Sequence, residues 1–492
     1  MKRPHTDHEV SVMAEQCSAS GVHGVVCAAA PLAAQAGAAA LRDGGNAYDA
    51  AVAAALAETV LLPPKCGFGG DLIAIRLVAG ANLPDALIAV GSAPSGLAAV
   101  AERGDWREVG PMSVGPPAAA AGYASLADLA RLGRARLAAP AIALATDGFA
   151  WAAICTRLAE QATELVREMN PGGCAYYPDG RPIQPGTVVR LPGLARVLEE
   201  FVARGGALMG GPVGSSVVQA VRGRGGVLSE ADLDTARAEW VPCSSAIFAT
   251  ADGPVQAWAT PAPTHGPSLL DALSEVGGSF TGQAKLHAQV MRAIGARRST
   301  LSDPSGTSMV SAADTEGNVV VVVHSNSFPR FGSGIVVPGY DLTLANRAGR
   351  GFTPVLGHPN FPVAGRRPAT TLHAWAMADA AGMPRFLGAT PGGANQMPWN
   401  AQTMARIAAG VHDPGVLVAS PIWEWLPADD GLRIEAGFDA DDMQSLAATV
   451  TRVISAPRWG CKSAQQVVRV PRHGEAWAAA ADPRTVGLAL GV

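Results

Sequence analysis

A chain of 492 residues, 48% hydrophobic and 16% charged, can build an ample apolar core and needs no disulfide or metal staple. Its net charge of −4 excludes the basic footprint of a nucleic-acid binder or of a protein drawn to an anionic membrane. No apolar run follows the basic start, as a signal peptide would require; Ala50–Ala57 falls short of a bilayer span; and seven scattered cysteines without a C-x-x-C pair imply reduced thiols in a cytoplasmic protein.

After a polar N-terminal arm, Gly24–Ala30 is a short strand candidate. Pro31–Asp43 predicts an Ala-rich helix stopped by Gly44-Gly45, and Asn46 caps a second helix from Ala47 to Thr59. Pro63-Pro64 ends it, and Gly67-Phe-Gly-Gly70 turns into a strand over Asp71–Val78. Helices dominate from Leu126 to Glu239, with Ser229 a cap in Ser229-Glu-Ala-Asp232. Near residue 300 the pattern changes. Ser308–Ala313 is extended, Asp314-Thr-Glu-Gly-Asn318 turns, and the β-branched run Val319–His324 predicts a strand covered on both faces. Further strands are expected at Gly334–Val337 and Ala374–Ala378, and helices after Asn400 and Asp439. No repeat or linker divides the chain, so a buried sheet with helices on both sides is the layered solution.

The ten histidines show no paired metal-ligand spacing and no phosphate-cradling motif is present, so metal-free, cofactor-free chemistry is expected. Thr307 stands at the start of an apolar strand, behind the turn-prone Ser302-Asp-Pro-Ser-Gly306. A threonine hydroxyl attacks only when a base takes its proton. Its own α-amine, with a pKa of about 7.7–8.0, can do so once the Gly306–Thr307 bond is cut. On residue chemistry alone, strand-forming is the commoner role of a threonine there.

A series of motifs changes that balance. Gly24-Val-Val-Cys-Ala-Ala-Ala-Pro-Leu-Ala-Ala-Gln-Ala-Gly37 and Gly44-Gly-Asn-Ala-Tyr-Asp-Ala-Ala-Val52 open the series. Pro140-Ala-Ile-Ala-Leu-Ala-Thr-Asp-Gly-Phe149, Gly225-Gly-Val-Leu-Ser-Glu-Ala-Asp-Leu233 and Thr307-Ser-Met-Val-Ser-Ala-Ala-Asp-Thr-Glu-Gly-Asn318 continue it. Phe331-Gly-Ser-Gly-Ile-Val336, Arg366-Arg-Pro368 and Thr390-Pro-Gly-Gly393 complete it. In this order, over residues 20–405, they resemble the γ-glutamyltransferase family and its acylase-like branch; the C-terminal remainder matches less clearly.

The resemblance implies an α/β (α+β) fold, the four-layer αββα sandwich of N-terminal-nucleophile hydrolases. It also implies a large segment 1–306 and a small segment 307–492 that are cut apart at Gly306–Thr307 yet stay associated in one structural domain. Thr307 would be nucleophile and, through its amine, base. Ser325 aligns with a supporting threonine, and Gly392 and Gly393 fall where backbone N–H groups receive the oxyanion. Thr370 and Thr371 stand for paired serines that help bind a donor carboxylate.

Two charged anchors for a γ-glutamyl donor are replaced. Val90, in Ile88-Ala-Val-Gly-Ser-Ala-Pro94, stands for the carboxylate-binding arginine, and Gly351, before Phe352, stands for the ammonium-binding acid. The stretch from Phe352 to Arg366 is too short for the lid of many bacterial transferases. Arg347 and Asn326 remain as substrate-binding candidates, Arg347 suiting a carboxylate elsewhere on the substrate or else a surface salt bridge. His324 and His373 read as structural, and Trp375 and Trp399 as core packing.

The expected activity is hydrolysis of an amide in a small, non-γ-glutamyl substrate through an acyl-enzyme. Hydrolysis of a carbon–carbon bond beside a ketone in specialised biosynthesis, true γ-glutamyl transfer, and an inactive binding paralogue are the alternatives. A small molecule is the expected partner, without nucleic acid or membrane, and a homo-oligomer is left open.

Overall fold

The computed structural model describes residues 8–250, 253–276, 282–295, 306–328, 330–379 and 381–492. The expected approach to Thr307 over 302–305 therefore lies outside the described residues. Runs of β-branched and small residues build two seven-stranded antiparallel sheets. The first runs Leu488–Gly491, Gly24–Ala28, Thr307–Asp314, Val319–Ser325, Asp71–Leu77, Asp85–Ala89, Glu239–Pro242. The second runs Ser18–Gly21, Trp477–Ala481, Gln466–Arg469, Pro384–Ala389, Ala374–Ala378, Gly253–Ala259, Ser244–Thr250.

Side chains alternate faces along a strand, and the three main cores follow that period of two. Val319, Val321, Val323 and Met309 meet Ala374, Ala376, Leu387 and Val468 in a core between the sheets. Val320, Val322, Val310 and Ala312 face the other way, onto the helices Pro31–Arg42, Ala47–Leu61, Ala119–Ala127 and Gly133–Asp147. The outer face of the second sheet packs Trp375, Met377 and Phe386 against Gly266–Val276, Gln283–Gly295 and Gln396–Ala408. The order is therefore helices, sheet, sheet, helices. This corrects a single sheet with helices on both sides: Val319–His324 is covered by helices on one face and by the second sheet on the other.

Local rules account for the boundaries. Asn46 accepts the Tyr48 and Asp49 N–H groups, while Asp49 accepts the Asn46 N–H at 2.8 Å, closing a capping box that starts Ala47–Leu61. Ser229 forms the same box with Asp232, but the helix it opens is the single turn Glu230–Leu233. The supposed N-terminal arm is instead the helix His8–Cys17, whose Val10 and Ala14, one turn apart, pack on Ala419. The strand expected over Gly334–Val337 shrinks to Val336–Val337, because Gly334 has φ 83° and cannot be extended. The helix expected after Asn400 begins earlier, at Gln396; Pro398 sits in its first turn, where a missing N–H costs nothing. A further three-stranded sheet, Trp423–Leu426, Gly431–Glu435 and Arg452–Ala456, is stapled to the C-terminal region by the buried side chain of Arg484. Arg484 Nε donates to Glu435 (2.8 Å) and Nη1 to Asp482 (3.0 Å).

Two buried histidines remain neutral. Burial lowers His287 and His373 to about 4; His287 stacks edge-on to Trp423 with neither ring nitrogen hydrogen-bonded. Because the unfolded chain takes up these protons near pH 6.5 and the folded chain only near 4, stability is full above pH 6.5 and is lost as the pH falls towards 4. The expected outcome is a lower thermal midpoint at pH 4.5 than at pH 7, with His287 contributing on the order of 2 kcal/mol. His287→Phe should show a visibly smaller drop in Tm. An equal drop in the variant would show that His287 is not the group being charged.

Candidate active site

Antiparallel register pairs Thr307 with Ser325 and Ser325 with Asp71, residue opposite residue, so all three side chains share one face at one end of the first sheet. That face is the one turned to the second sheet, since Met309, Val323 and Ile73, two residues along, lie in the inter-sheet core. Neighbouring strands are roughly 4.8 Å apart, which puts Asp71 about 10 Å across the sheet end from Thr307.

At the Thr307 end the chain is continuous through Gly306. Ser325 Oγ donates to the Gly306 carbonyl oxygen at 2.7 Å, accepts the Ser327 N–H at 2.9 Å, and lies 3.0 Å from Thr307 Oγ1. With its own proton committed to Gly306, Ser325 is the acceptor and the Thr307 hydroxyl the donor. A file of hydrogen bonds thus runs from the Thr307 hydroxyl through Ser325 to the carbonyl of the preceding residue. Gly306 tolerates no side chain: a Cβ there would sit 1.6 Å from the Ser327 carbonyl oxygen. All of these groups are buried.

The second sheet contributes at the same end. Gln466, the register partner of Ala389, crosses the gap between the sheets; its amide donates to the Met309 carbonyl and accepts from Ser311 Oγ, both at 2.9 Å. Directly after Ala389 comes Thr390-Pro-Gly-Gly393, and Thr370 and Thr371 precede its neighbour Ala374, separated from it by Leu372 and His373. Gly392 (φ 145°) and Gly393 (φ 56°) both take backbone conformations that favour glycine, and a Cβ on Gly392 would lie 2.4 Å from the Trp399 ring. Thr370 Oγ1 accepts the Leu372 N–H (3.3 Å), and Thr371 is half-buried.

Arg347 is not a surface residue. It is 8% exposed and its Nε donates to Asp71 Oδ2 at 2.6 Å, while Asp71 Oδ1 accepts the Gly91 N–H. Among the described residues its buried Nη2 has no partner, nor has the buried Asn326 Oδ1. Asn326 Nδ2 donates to the Pro63 carbonyl at 3.2 Å. A buried guanidinium nitrogen left without an acceptor is a donor chemically suited to an anion. Val90 lies in the inter-sheet core, and a Cβ on Gly351 would press on Pro368 at 2.7 Å, so neither position offers a charge.

His324 turns to the helix side, bonded to Tyr123 (2.7 Å) and Glu58 (2.8 Å). With Cys66 it completes a trio of metal-ligating types within 4.8 Å, but burial holds the Cys66 thiol protonated and it donates to backbone carbonyls. Trp375 and Trp399 are fully buried. All seven cysteines are free thiols, and no helix among the described residues is long and apolar enough to cross a membrane. Residue patterns did not reveal Asp71, Gln466 or Gln396. A carboxylate before an apolar strand and an amide within one are ordinary until register shows what they face.

Comparison with known proteins agrees with this architecture. The solved cephalosporin acylase from Bacillus halodurans superposes with a TM-score of 0.85 at 25% identity, over 96% of this chain and 97% of that one. Acylase ACY 1 proenzyme of Pseudomonas sp. (strain SE83) is 35% identical over 243 residues, 46% of this chain and 43% of its own. Glutathione hydrolase 3 of Arabidopsis thaliana is 30% identical over 232 residues, 46% of this chain and 36% of its own. The chain thus spans less than half the length of these curated relatives. The family model for gamma-glutamyltranspeptidase matches residues 33–305 and 280–492. The chain belongs to the gamma-glutamyltranspeptidase family.

Proposed function

We propose that the chain is a self-processing N-terminal-threonine hydrolase that cleaves an amide of a small carboxylate-bearing substrate other than a γ-glutamyl compound. The observation that carries this reading is the file of hydrogen bonds from Thr307 Oγ1 through Ser325 Oγ to the Gly306 carbonyl. Ser325 polarises that carbonyl, and the hydroxyl beside it is the group that would attack. Attack forms an ester between Gly306 and Thr307 Oγ1 as the peptide C–N bond breaks, the hydroxyl proton passing to the departing nitrogen. Water then hydrolyses the ester, leaving a Gly306 carboxylate and a free Thr307 amine. That amine is the base of the mature enzyme: it takes the Thr307 hydroxyl proton as the oxygen adds to the substrate carbonyl. The Gly392 and Gly393 N–H groups receive the oxyanion, the amine leaves with a proton, and water releases the acid.

Arg347 gives the substrate its chemical character. Asp71 holds the guanidinium through Nε and leaves Nη2 for a carboxylate on the acyl or leaving side, while Thr370 and Thr371 offer hydroxyls and Asn326 an amide oxygen. With Val90 and Gly351 uncharged, a γ-glutamyl donor would bury its ammonium without a counter-charge, and each missing charge-assisted bond is worth about 1.5–3 kcal/mol.

Intact mass of the purified protein should show fragments 1–306 and 307–492, and Thr307→Ala should remain whole. A wild-type chain that turns over substrate uncut would remove the α-amine from the mechanism. In steady-state kinetics, glutathione and γ-glutamyl anilides should have kcat/KM values about 100-fold or more below the best acid-bearing amide, with ketone-bearing acids assayed beside them for carbon–carbon cleavage. Arg347→Lys keeps the ion pair with Asp71 but has no second nitrogen; it should raise KM about tenfold with kcat little changed. An unchanged KM would move the carboxylate elsewhere.

A further inference from the structure

Gln396 opens the helix Gln396–Ala408, three residues after Gly393, and is completely buried. Its side-chain amide lies between the Thr371 carbonyl and the Gly393 N–H, and its oxygen and nitrogen are assigned from that network so that each meets its complement. Nε2 donates to the Thr371 carbonyl oxygen at 3.1 Å, and Oε1 accepts the Gly393 N–H at 3.2 Å. The Thr371 carbonyl is itself fixed by a second donor, His373 Nδ1, at 2.8 Å. His373 Nε2 accepts from Asn400 Nδ2 (2.9 Å), and Asn400 Oδ1 accepts the Trp375 indole N–H (2.9 Å). Since an indole nitrogen can only donate, it orients Asn400, which fixes the tautomer of His373 and so the proton on Nδ1. The two segments flanking the site, 370–373 and 390–393, are thereby tied together through one neutral amide.

Resting on the assignment of Thr307 as nucleophile and Gly393 as oxyanion donor, we infer that Gln396 is a positioning residue for acyl transfer. It keeps the Gly393 N–H satisfied and aimed while the site is empty, and yields it when negative charge develops on the substrate oxygen. The bond is at the long end of the N–H···O range, so it holds the donor without binding it tightly. An oxyanion is the stronger acceptor, and the exchange favours the transition state over the ground state. The device needs a neutral acceptor. A carboxylate at this position would compete for the N–H, lose the bond to Thr371, and place like charge beside the oxyanion.

The test uses the self-cleaved enzyme acylated with p-nitrophenyl acetate. The acetyl group is located on Thr307 by mass spectrometry of segment 307–492, and rates are followed from about pH 5 to pH 8. Gln396→Glu should acylate about 100-fold more slowly than wild type at the upper end, the size of losing one oxyanion donor. The ratio of wild type to variant should then close on acidification, because a protonated carboxyl offers the same donor and acceptor as the amide. Gln396→Met should be about tenfold slower in kcat at every pH, with KM little changed. A wild-type-to-Glu ratio independent of pH, or a Met variant as fast as wild type, overturns the proposal. So does a folded Gln396→Glu chain that is not self-cleaved, since the role is confined to the oxyanion side. Wild type that gains no acetyl on Thr307 refutes the nucleophile assignment itself, which is a distinct result.

Discussion

Residue-against-residue pairing of Thr307–Asp314 with Val319–Ser325 is the constraint on which the site depends. It sets Thr307 beside Ser325 and, with the next strand, Ser325 beside Asp71. A slip of one residue would either turn the hydroxyl of Thr307 into the helix layer or bring the Val320 and Val322 face into the gap between the sheets. The slip is opposed from both sides at once. Odd-numbered valines pack on the second sheet and even-numbered ones on the helices, so a one-residue slip cannot leave both cores intact. The hydrogen bonds of Gln466 to Met309 and Ser311 then lock the register of one sheet to the other.

Electrostatic order follows from this geometry. The inter-sheet gap is apolar over most of its length, and charge enters it at the site end, where Asp71 holds Arg347. A buried ion pair contributes little net stability after desolvation. Its geometric effect is orientation: Nε is tied to Asp71 while Nη2 stays without an acceptor. Val90 and Gly351 complete the picture by what they lack. The Gly351 backbone lies too close to Pro368 for an acidic side chain to fit without movement.

Much of this was legible in the residues. The Asn46 capping box, the strand over Asp71–Leu77 and the doubly covered Val319–Ser325 follow from caps, turns and β-branching, which act over a few residues. The ordered motifs led to the family and so to the two-sheet sandwich, which strand patterns alone had rendered as one sheet. Relations over long separations were not legible. Asp71 and Arg347 are 276 residues apart, and Met309 and Gln466 are 157 apart; neither pair carries a local mark. The helix expected after Asn400 starts instead at Gln396, since a first turn accepts Pro398. With that start went the role of Gln396, whose partners exist only where two sheet strands end together.

The strands on either side of Gly306–Thr307 are interleaved. In the first sheet Gly24–Ala28 lies between Leu488–Gly491 and Thr307–Asp314, and in the second Gly253–Ala259 pairs with Ala374–Ala378. Were that bond cut as proposed, the halves would have no surface along which to part; separation would mean unzipping the centre of one sheet and the flanks of both. Covalent continuity is therefore needed to reach this topology and not to keep it. The proposed cut would act as a ratchet: a two-chain molecule unfolded after it would have to find its partner strands as a bimolecular encounter, with the loop-closure advantage of a single chain gone.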